Sequence, residues 1–227
     1  MCGRFAVTGD LDFYADYFDV GQVAAEPLRR SWNVAPTDRV YVVAEREGER
    51  TLQTMKWGLA PDWAKDSKDI HINARSETVA SGPVFRDSFA RRRCLIPADG
   101  FYEWGPAEKG RTPHWVYRAD GRPMALAGVW AARKGADEEE WRRGCSVITA
   151  PADGVVARIH DRMPVTLPPE AWGPWLDRAL TGAEAALSLI GADDPETLME
   201  HAVSKRVNSV RNDGPGLQDR AEPETLF

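Results

Sequence analysis

The chain has 227 residues, 43% of them hydrophobic and 28% charged, so it carries enough apolar side chains for a packed core and is not a disordered polymer. At this length a single domain buries roughly 70% of its unfolded surface, and neither disulfides nor a structural metal is needed to hold it. The formal charge of -6 argues against bulk electrostatic coating of duplex nucleic acid but leaves room for a local basic groove. Cysteines at 2, 94 and 145 form no Cys-x-x-Cys pair, and the histidines are dispersed, so no metal and no other cofactor is expected. No apolar run approaches the ~20 residues of a membrane span, and no signal-peptide core follows Met1. The expectation is a cytoplasmic protein without membrane contact.

Taken in chain order, Cys2 to Val7 reads as a short strand or loop. Asp10 to Val20 reads as a helix, with Asp10 as its N-cap and Leu11, Tyr14 and Phe18 on one stripe. Residues 39–43 and 51–57 read as a hairpin turning near Gly48. Further strands are expected at 94–96, 100–104, 114–117, 124–130 and 145–149, about seven in all. Pro169 to Leu180 and Gly182 to Ile190 carry helical periodicity behind Pro and Gly start signals. Because most strands follow one another without an intervening helix, a doubly wound parallel sheet is disfavoured. The expected fold is α+β, a single domain of mainly antiparallel strands with peripheral helices. The domain is expected over 1–211, and 212–227, rich in Asp, Gly, Glu and Pro, is expected to be a loose tail.

The chemistry begins at Cys2. An initiator Met before a small residue is commonly removed, which would leave a terminal amine of pKa about 8 and a thiol of pKa about 8.5 on one residue. Such a pair can condense with an aldehyde: the amine forms a Schiff base, the thiol closes onto the same carbon, and a thiazolidine results with loss of one water. The same pair also suits an N-terminal nucleophile hydrolase, and position alone does not choose between them. Within Ile72-Asn73-Ala74-Arg75-Ser76-Glu77-Thr78, Asn73 and Arg75 share one side of an extended chain, so an orienting amide and a phosphate-binding guanidinium can share one cleft. Glu103 sits in the aromatic run Gly100-Phe101-Tyr102-Glu103-Trp104, where burial would raise its pKa and suit it to proton transfer; a solvent-facing Glu is the bland reading. His160, in Arg158-Ile159-His160-Asp161-Arg162-Met163-Pro164, is the best general-acid candidate, with a structural loop histidine as the alternative. Trp32-Asn33-Val34-Ala35-Pro36-Thr37 and Trp57-Gly58-Leu59-Ala60-Pro61-Asp62-Trp63 offer flat apolar groups on which bases can stack.

Together the N-terminal Met-Cys-Gly-Arg-Phe, Trp-Asn-Val-Ala-Pro, Trp-Gly-Leu-Ala-Pro, Ile-Asn-Ala-Arg-Ser-Glu-Thr, Phe-Tyr-Glu-Trp and Ile-His-Asp-Arg-Met-Pro segments resemble the SOS response-associated peptidase (SRAP) family, in order, from residue 1 to residue 164. The resemblance implies a single α+β domain with barrel-like sheets. It also implies shielding of abasic sites in single-stranded DNA through a covalent link to the N-terminal cysteine. Carried over by position, Cys2 is the nucleophile, Asn73 orients the sugar and the terminal amine, Glu103 contacts the amine, and His160 assists opening of the deoxyribose. Arg4, Arg75 and Arg162 match phosphate contacts, with Trp104, Pro36, Trp63 and Thr149 as further DNA-facing candidates. The implied partner is single-stranded DNA containing an abasic site, met by a monomer. One departure is visible: some relatives have two adjacent aromatics after Trp-Gly-x-Ala-Pro, whereas here Ala64 follows Trp63. Two rivals stand beside this reading, a cysteine peptidase acting through Cys2 and a non-catalytic single-strand-binding module in which Cys2 is incidental.

Overall fold

The computed structural model describes residues 2–61, 63–64, 70–134, 141–191, 193 and 197–222. A closed barrel and a second sheet packed on it make up the architecture. Strand β4 (Arg39–Arg46) pairs antiparallel with β5 (Glu49–Trp57) from Arg39 opposite Lys56 to Arg46 opposite Glu49. Only Glu47 and Gly48 turn the chain, at φ +56° and +86°, the two positive values that a type I′ hairpin turn demands. β7 (Arg93–Ala98), β10 (Met124–Lys134) and β11 (Trp141–Pro151) extend the sheet antiparallel beyond β4. β11 then pairs with β5, closing the ring β5-β4-β7-β10-β11. A ring with an odd number of strands cannot alternate direction throughout, and the β11–β5 pair is accordingly parallel. This is the barrel-like element of the expected fold. Val40 to Ala44 are all buried, because the barrel interior takes one face of β4 and packed elements cover the other. Cys94 and Cys145 are buried in the barrel, and burial pushes the Cys145 thiol up to about 12, as it raises Cys94, which marks both as packing residues.

The second sheet runs β13-β9-β8-β1-β3, formed by β1 (Phe5–Val7), β3 (Ser31–Val34), β8 (Gly100–Pro106), β9 (Arg111–Arg118) and β13 (Leu198–Ala202). Phe5 and Phe101 lie opposite each other and face the barrel, with the Phe5 ring 4.6 Å from that of Trp57. The other face of this sheet holds Ala6, Tyr102 and Trp115, which form a small separate core with Val203 and Val207. The barrel sheet also carries β2 (Gln22–Val23), β6 (Asn73–Arg75) and β12 (Arg162–Pro164).

The helices are short and peripheral, as expected, but end earlier than the periodicity suggested. α1 spans Leu11–Tyr17; Asp10 caps it by accepting from the Phe13 amide at 3.0 Å, and Asp19 at φ +51° breaks the path two residues later. α3 spans Pro169–Leu176 rather than running to Leu180. The buried Arg93 guanidinium explains the stop, since it donates to the carbonyls of Trp175 and Asp177 while also holding Phe89 and Ala90 at the end of α2 (Arg86–Arg91). α4 (Ala183–Leu187) completes the set among the described residues.

Residues 212–222 differ from the expected loose tail; 223–227 lie outside the described residues. Asp213 accepts from the Trp32 amide at 2.7 Å, Leu217 is buried, the Gln218 carbonyl meets His201, and Ala221 donates to the Ala202 carbonyl at 2.8 Å. Aperiodic polar composition hid a segment that has one apolar anchor and fixed backbone partners.

Candidate active site

Cys2 is carried in by β1, the strand between β8 and β3 in the five-stranded sheet. The Tyr102 amide donates to the Arg4 carbonyl at 2.9 Å, which continues the β1–β8 pairing towards the terminus and brings the next residue, Glu103, beside Cys2. Both side chains are buried, Cys2 completely and Glu103 to all but 2%. Burial raises the Cys2 thiol far above its ordinary value, and the Glu103 carboxylate adds to that rise. Glu103 is itself raised, chiefly by burial, with His160 pulling the other way. A carboxyl group with a raised pKa and a thiol that burial keeps protonated therefore share one buried space, an arrangement suited to passing protons rather than to holding a standing thiolate.

Asn73 opens β6, which runs parallel to β11 with Asn73 opposite Val147 and Arg75 opposite Thr149. Its Nδ2 donates to the Cys2 carbonyl at 2.8 Å, while its Oδ1 is buried and accepts no hydrogen bond. The preceding turn is pinned: Trp57 Nε1 donates to the Ile72 carbonyl at 3.0 Å and the Ser146 hydroxyl to the His71 carbonyl. His160 follows a 3-10 turn at Val156–Arg158. The Arg162 amide reaches its Nδ1 at 2.9 Å, so an unprotonated Nδ1 can accept from it. A protonated Nδ1 has the exposed Asp161 carboxylate 2.7 Å away. Cys2, Asn73, Glu103 and His160, taken from four separate segments, thus converge.

The expected DNA-facing residues divide into two groups. Arg75 is exposed, and its guanidinium has neither an ion pair nor a hydrogen bond among the described residues, and Trp63 is 63% exposed. Pro36 is half-buried in the turn after β3, where the next residue, Thr37, donates to the Trp57 carbonyl. Arg4 and Arg162, by contrast, are already engaged. Arg4 Nη1 donates to Asn33 Oδ1 at 2.7 Å and the Val207 carbonyl at 2.8 Å, and its guanidinium lies 6.0 Å from the Trp104 ring, whose Nε1 donates to Asn208. Arg162 grips Glu77 through both terminal nitrogens, with the Nη2 to Oε2 distance at 2.9 Å, and donates to the Thr149 carbonyl. Thr149 was expected to face DNA; its side chain is fully buried, and its role here is to support Arg162 and Ser76. Sequence reasoning did not single out two residues. Asn33 holds three carbonyls of the 207–212 segment against the sheet, and Glu77 pairs with Arg162. Both lay inside quoted motifs, but their partners are 174 and 85 positions away.

Fold and site together define a single-domain α+β protein whose second residue, a buried cysteine, meets an amide, a carboxylic acid and an imidazole beside a group of arginines. The chain belongs to the SOS response associated peptidase (SRAP) family, whose model matches residues 1–210. It is 34% identical to the abasic site processing protein YoqW of Bacillus subtilis, over 96% of this chain and 98% of that one. The same identity and coverage hold for the abasic site processing protein YedK of Escherichia coli. Identity to the chicken abasic site processing protein HMCES is 31%, over 82% of this chain and 65% of that one. A solved structure of a Bacteroides thetaiotaomicron protein superposes with a TM-score of 0.85 at 24% identity, covering 97% of this chain and 100% of that one, a likeness of fold.

Proposed function

We propose that this protein processes abasic sites in single-stranded DNA, forming a covalent thiazolidine link through Cys2 once Met1 has been removed. The observation that carries the reading is the burial of the Cys2 thiol beside Glu103, with the Cys2 carbonyl held by Asn73. A peptidase needs a thiolate that attacks an unactivated amide, and here burial and a carboxylate both oppose thiolate formation. Thiazolidine closure does not need a standing thiolate. The amine attacks first, and the thiol then meets an imine, a far better electrophile.

Each step balances. An abasic deoxyribose is mostly a closed hemiacetal; His160 as the imidazolium protonates the ring oxygen as its bond to C1′ breaks, and the C1′ hydroxyl gives its proton to the Glu103 carboxylate, which frees the C1′ aldehyde. The Cys2 nitrogen adds to C1′, and the oxygen leaves as water after taking a proton that Glu103 is suited to deliver. The Cys2 sulfur then adds to C1′, its proton passing to the former imine nitrogen. One C–N and one C–S bond replace the C=O bond, with one water released. Closing the imine into a ring removes the species that would otherwise undergo β-elimination and strand cleavage, so the link protects the strand. Single-stranded substrate suits the site, because reaching C1′ from the side requires an unpaired nucleotide, and Trp63 and Arg75 offer stacking and phosphate contact without a basic protein overall.

Intact mass and a denaturing gel of the Met1-processed protein with an abasic oligonucleotide test this. The expected product is a one-to-one adduct lighter than the sum of its parts by one water and stable to salt. Cys2→Ser should bind the oligonucleotide and give no stable product, and an Ala inserted before Cys2 should be nearly as damaging. No adduct from processed wild-type protein, or peptide turnover in its place, rejects the reading.

A further inference from the structure

We infer that Glu77 is a placeholder anion: in the DNA-free protein its carboxylate fills the guanidinium fork of Arg162, and a DNA phosphate must displace it to bind there. The inference rests on the functional reading above in taking Arg162 as a phosphate contact. It adds a residue that weakens reversible binding to every strand while leaving the covalent product untouched.

The geometry is that of phosphate recognition with a carboxylate in the anion's place. Both terminal nitrogens of Arg162 face the two Glu77 oxygens, the fork arrangement by which arginine also grips phosphate. The two partners are not equally fixed. Arg162 is 12% exposed, and its Nη2 also donates to the buried Thr149 carbonyl, so the guanidinium stays where it is. Glu77 is 48% exposed, on the turn after β6, and is the partner able to swing away. Arg162 Nε is buried with no hydrogen-bond partner among the described residues. Arg75 lies on the same edge, opposite Thr149, and pairs with no carboxylate among the described residues. The edge thus holds two guanidinium groups and one displaceable carboxylate. Arg162 holds Glu77 ionised down to a pKa of about 2, so the carboxylate competes as an anion at every working pH.

A phosphate that replaces Glu77 gains one fork and loses another, and the exposed carboxylate recaptures a cation from solution. Noncovalent binding is weakened for damaged and undamaged strands alike. Only an abasic strand escapes the penalty, because ring closure at Cys2 makes its capture independent of the phosphate equilibrium. Glu77 therefore sharpens discrimination without touching the damaged sugar.

The test uses Cys2→Ser protein, which removes trapping, and undamaged single-stranded oligonucleotide, with fluorescence anisotropy read across a salt series. Glu77→Gln and Glu77→Ala should each bind about two- to fivefold tighter, the size of one exposed ion pair released. The logarithmic salt dependence should steepen by about 0.7, one further phosphate neutralised on a single strand. Adding Arg162→Gln should abolish both gains. Unchanged affinity and slope would mean that the carboxylate stays on Arg162 in the complex, and weaker binding by both variants would mean that it orients Arg162; either result overturns the inference. Tighter binding cannot come from misfolding, so a supporting result is unambiguous. A parallel reaction of unsubstituted Cys2 protein with abasic oligonucleotide separates the two ideas. An adduct with no affinity gain sinks the role of Glu77 alone. An affinity gain with no adduct sinks the thiazolidine reading alone. Absence of any single-strand binding sinks both.

Discussion

The Asn73 side-chain amide donates to the Cys2 carbonyl at 2.8 Å, joining residues 71 positions apart and tying the barrel edge to the entry of the second sheet. Fixing the carbonyl fixes the peptide plane and, through it, the direction in which the Cys2 nitrogen and sulfur leave the Cα. The other half of the same amide, Oδ1, is buried and accepts nothing from the described residues. A buried acceptor held in reserve beside a nucleophile matches a donor that arrives with the reaction, either the terminal amine or a sugar hydroxyl. Asn73 thus bridges the two sheets and, in the proposed chemistry, faces the reacting atoms.

Asn73→Ala should therefore slow adduct formation more than it weakens DNA binding. Removing one buried hydrogen bond costs about 1–3 kcal/mol, which corresponds to roughly 5- to 150-fold in the single-turnover rate at saturating abasic oligonucleotide. Quenched time courses on denaturing gels measure it. A variant rate within twofold of wild type would show that Cys2 is oriented by β1 alone.

Glu103→Gln should stabilise the protein at neutral pH while it disables the chemistry. The folded-state pKa of Glu103 lies above its unfolded value, mainly through burial, so folded protein holds the proton more tightly than unfolded chain does. The sign follows from linkage. Stability from this group is fully present below the unfolded carboxylate pKa, about 4.3, and is lost as pH rises through the folded value. Gln carries no such penalty, so its gain in melting temperature should be largest near pH 7 and vanish near pH 4. A gain that does not change with pH, or a loss at pH 7, would show that Glu103 does not ionise at the cost of folding.

The hairpin at Glu47-Gly48, the Asp10 cap and the run of strands were legible because each is set by neighbours in sequence. Helix ends were not: α3 stops where Arg93, some 80 positions earlier, takes its last carbonyls. The same distinction holds in the site. Motif order named Cys2, Asn73, Glu103 and His160 as candidates, and the fold brings these four together, whereas the pairing of Arg162 with Glu77 and the burial of Thr149 follow from β6 lying against β11, a parallel contact that no local pattern encodes. The ordered segment after Asn212 was missed for the related reason that its partners, Trp32, His201 and Ala202, belong to distant strands.

That segment predicts a stability effect. Ending the chain at Arg211 removes the buried Leu217, worth about 1.5–3 kcal/mol, and the bond from the Trp32 amide to Asp213, worth about 1 kcal/mol. At roughly 2–4 °C per kcal/mol for a chain of this size, the melting temperature should fall by about 5–15 °C. Deleting only 223–227 should serve as the reference for that comparison. Equal melting temperatures for the two truncations would mean that 212–222 adds nothing to the fold.

Gly144 tests whether barrel closure and site geometry are one property. A Cβ added there would stand 2.4 Å from the Gly58 carbonyl oxygen, so Gly144→Ala must wedge β11 away from the chain leaving β5, and the obstruction is backbone rather than a side chain that can rotate. Overpacking of this kind costs about 1–3 kcal/mol, a fall of roughly 2–12 °C in melting temperature. Three positions further along β11, Val147 holds β6 opposite Asn73, so the wedge should also shift the amide that orients Cys2. Gly144→Ala should then lose adduct-forming rate at a temperature where it is still fully folded, while Gly182→Ala, whose new Cβ meets nothing nearer than 4.0 Å, leaves the rate unchanged and costs only the small difference between Gly and Ala at the α4 N-cap. A destabilised Gly144 variant with an unaltered rate would separate the barrel seam from the site and leave Asn73 positioned by β6 alone.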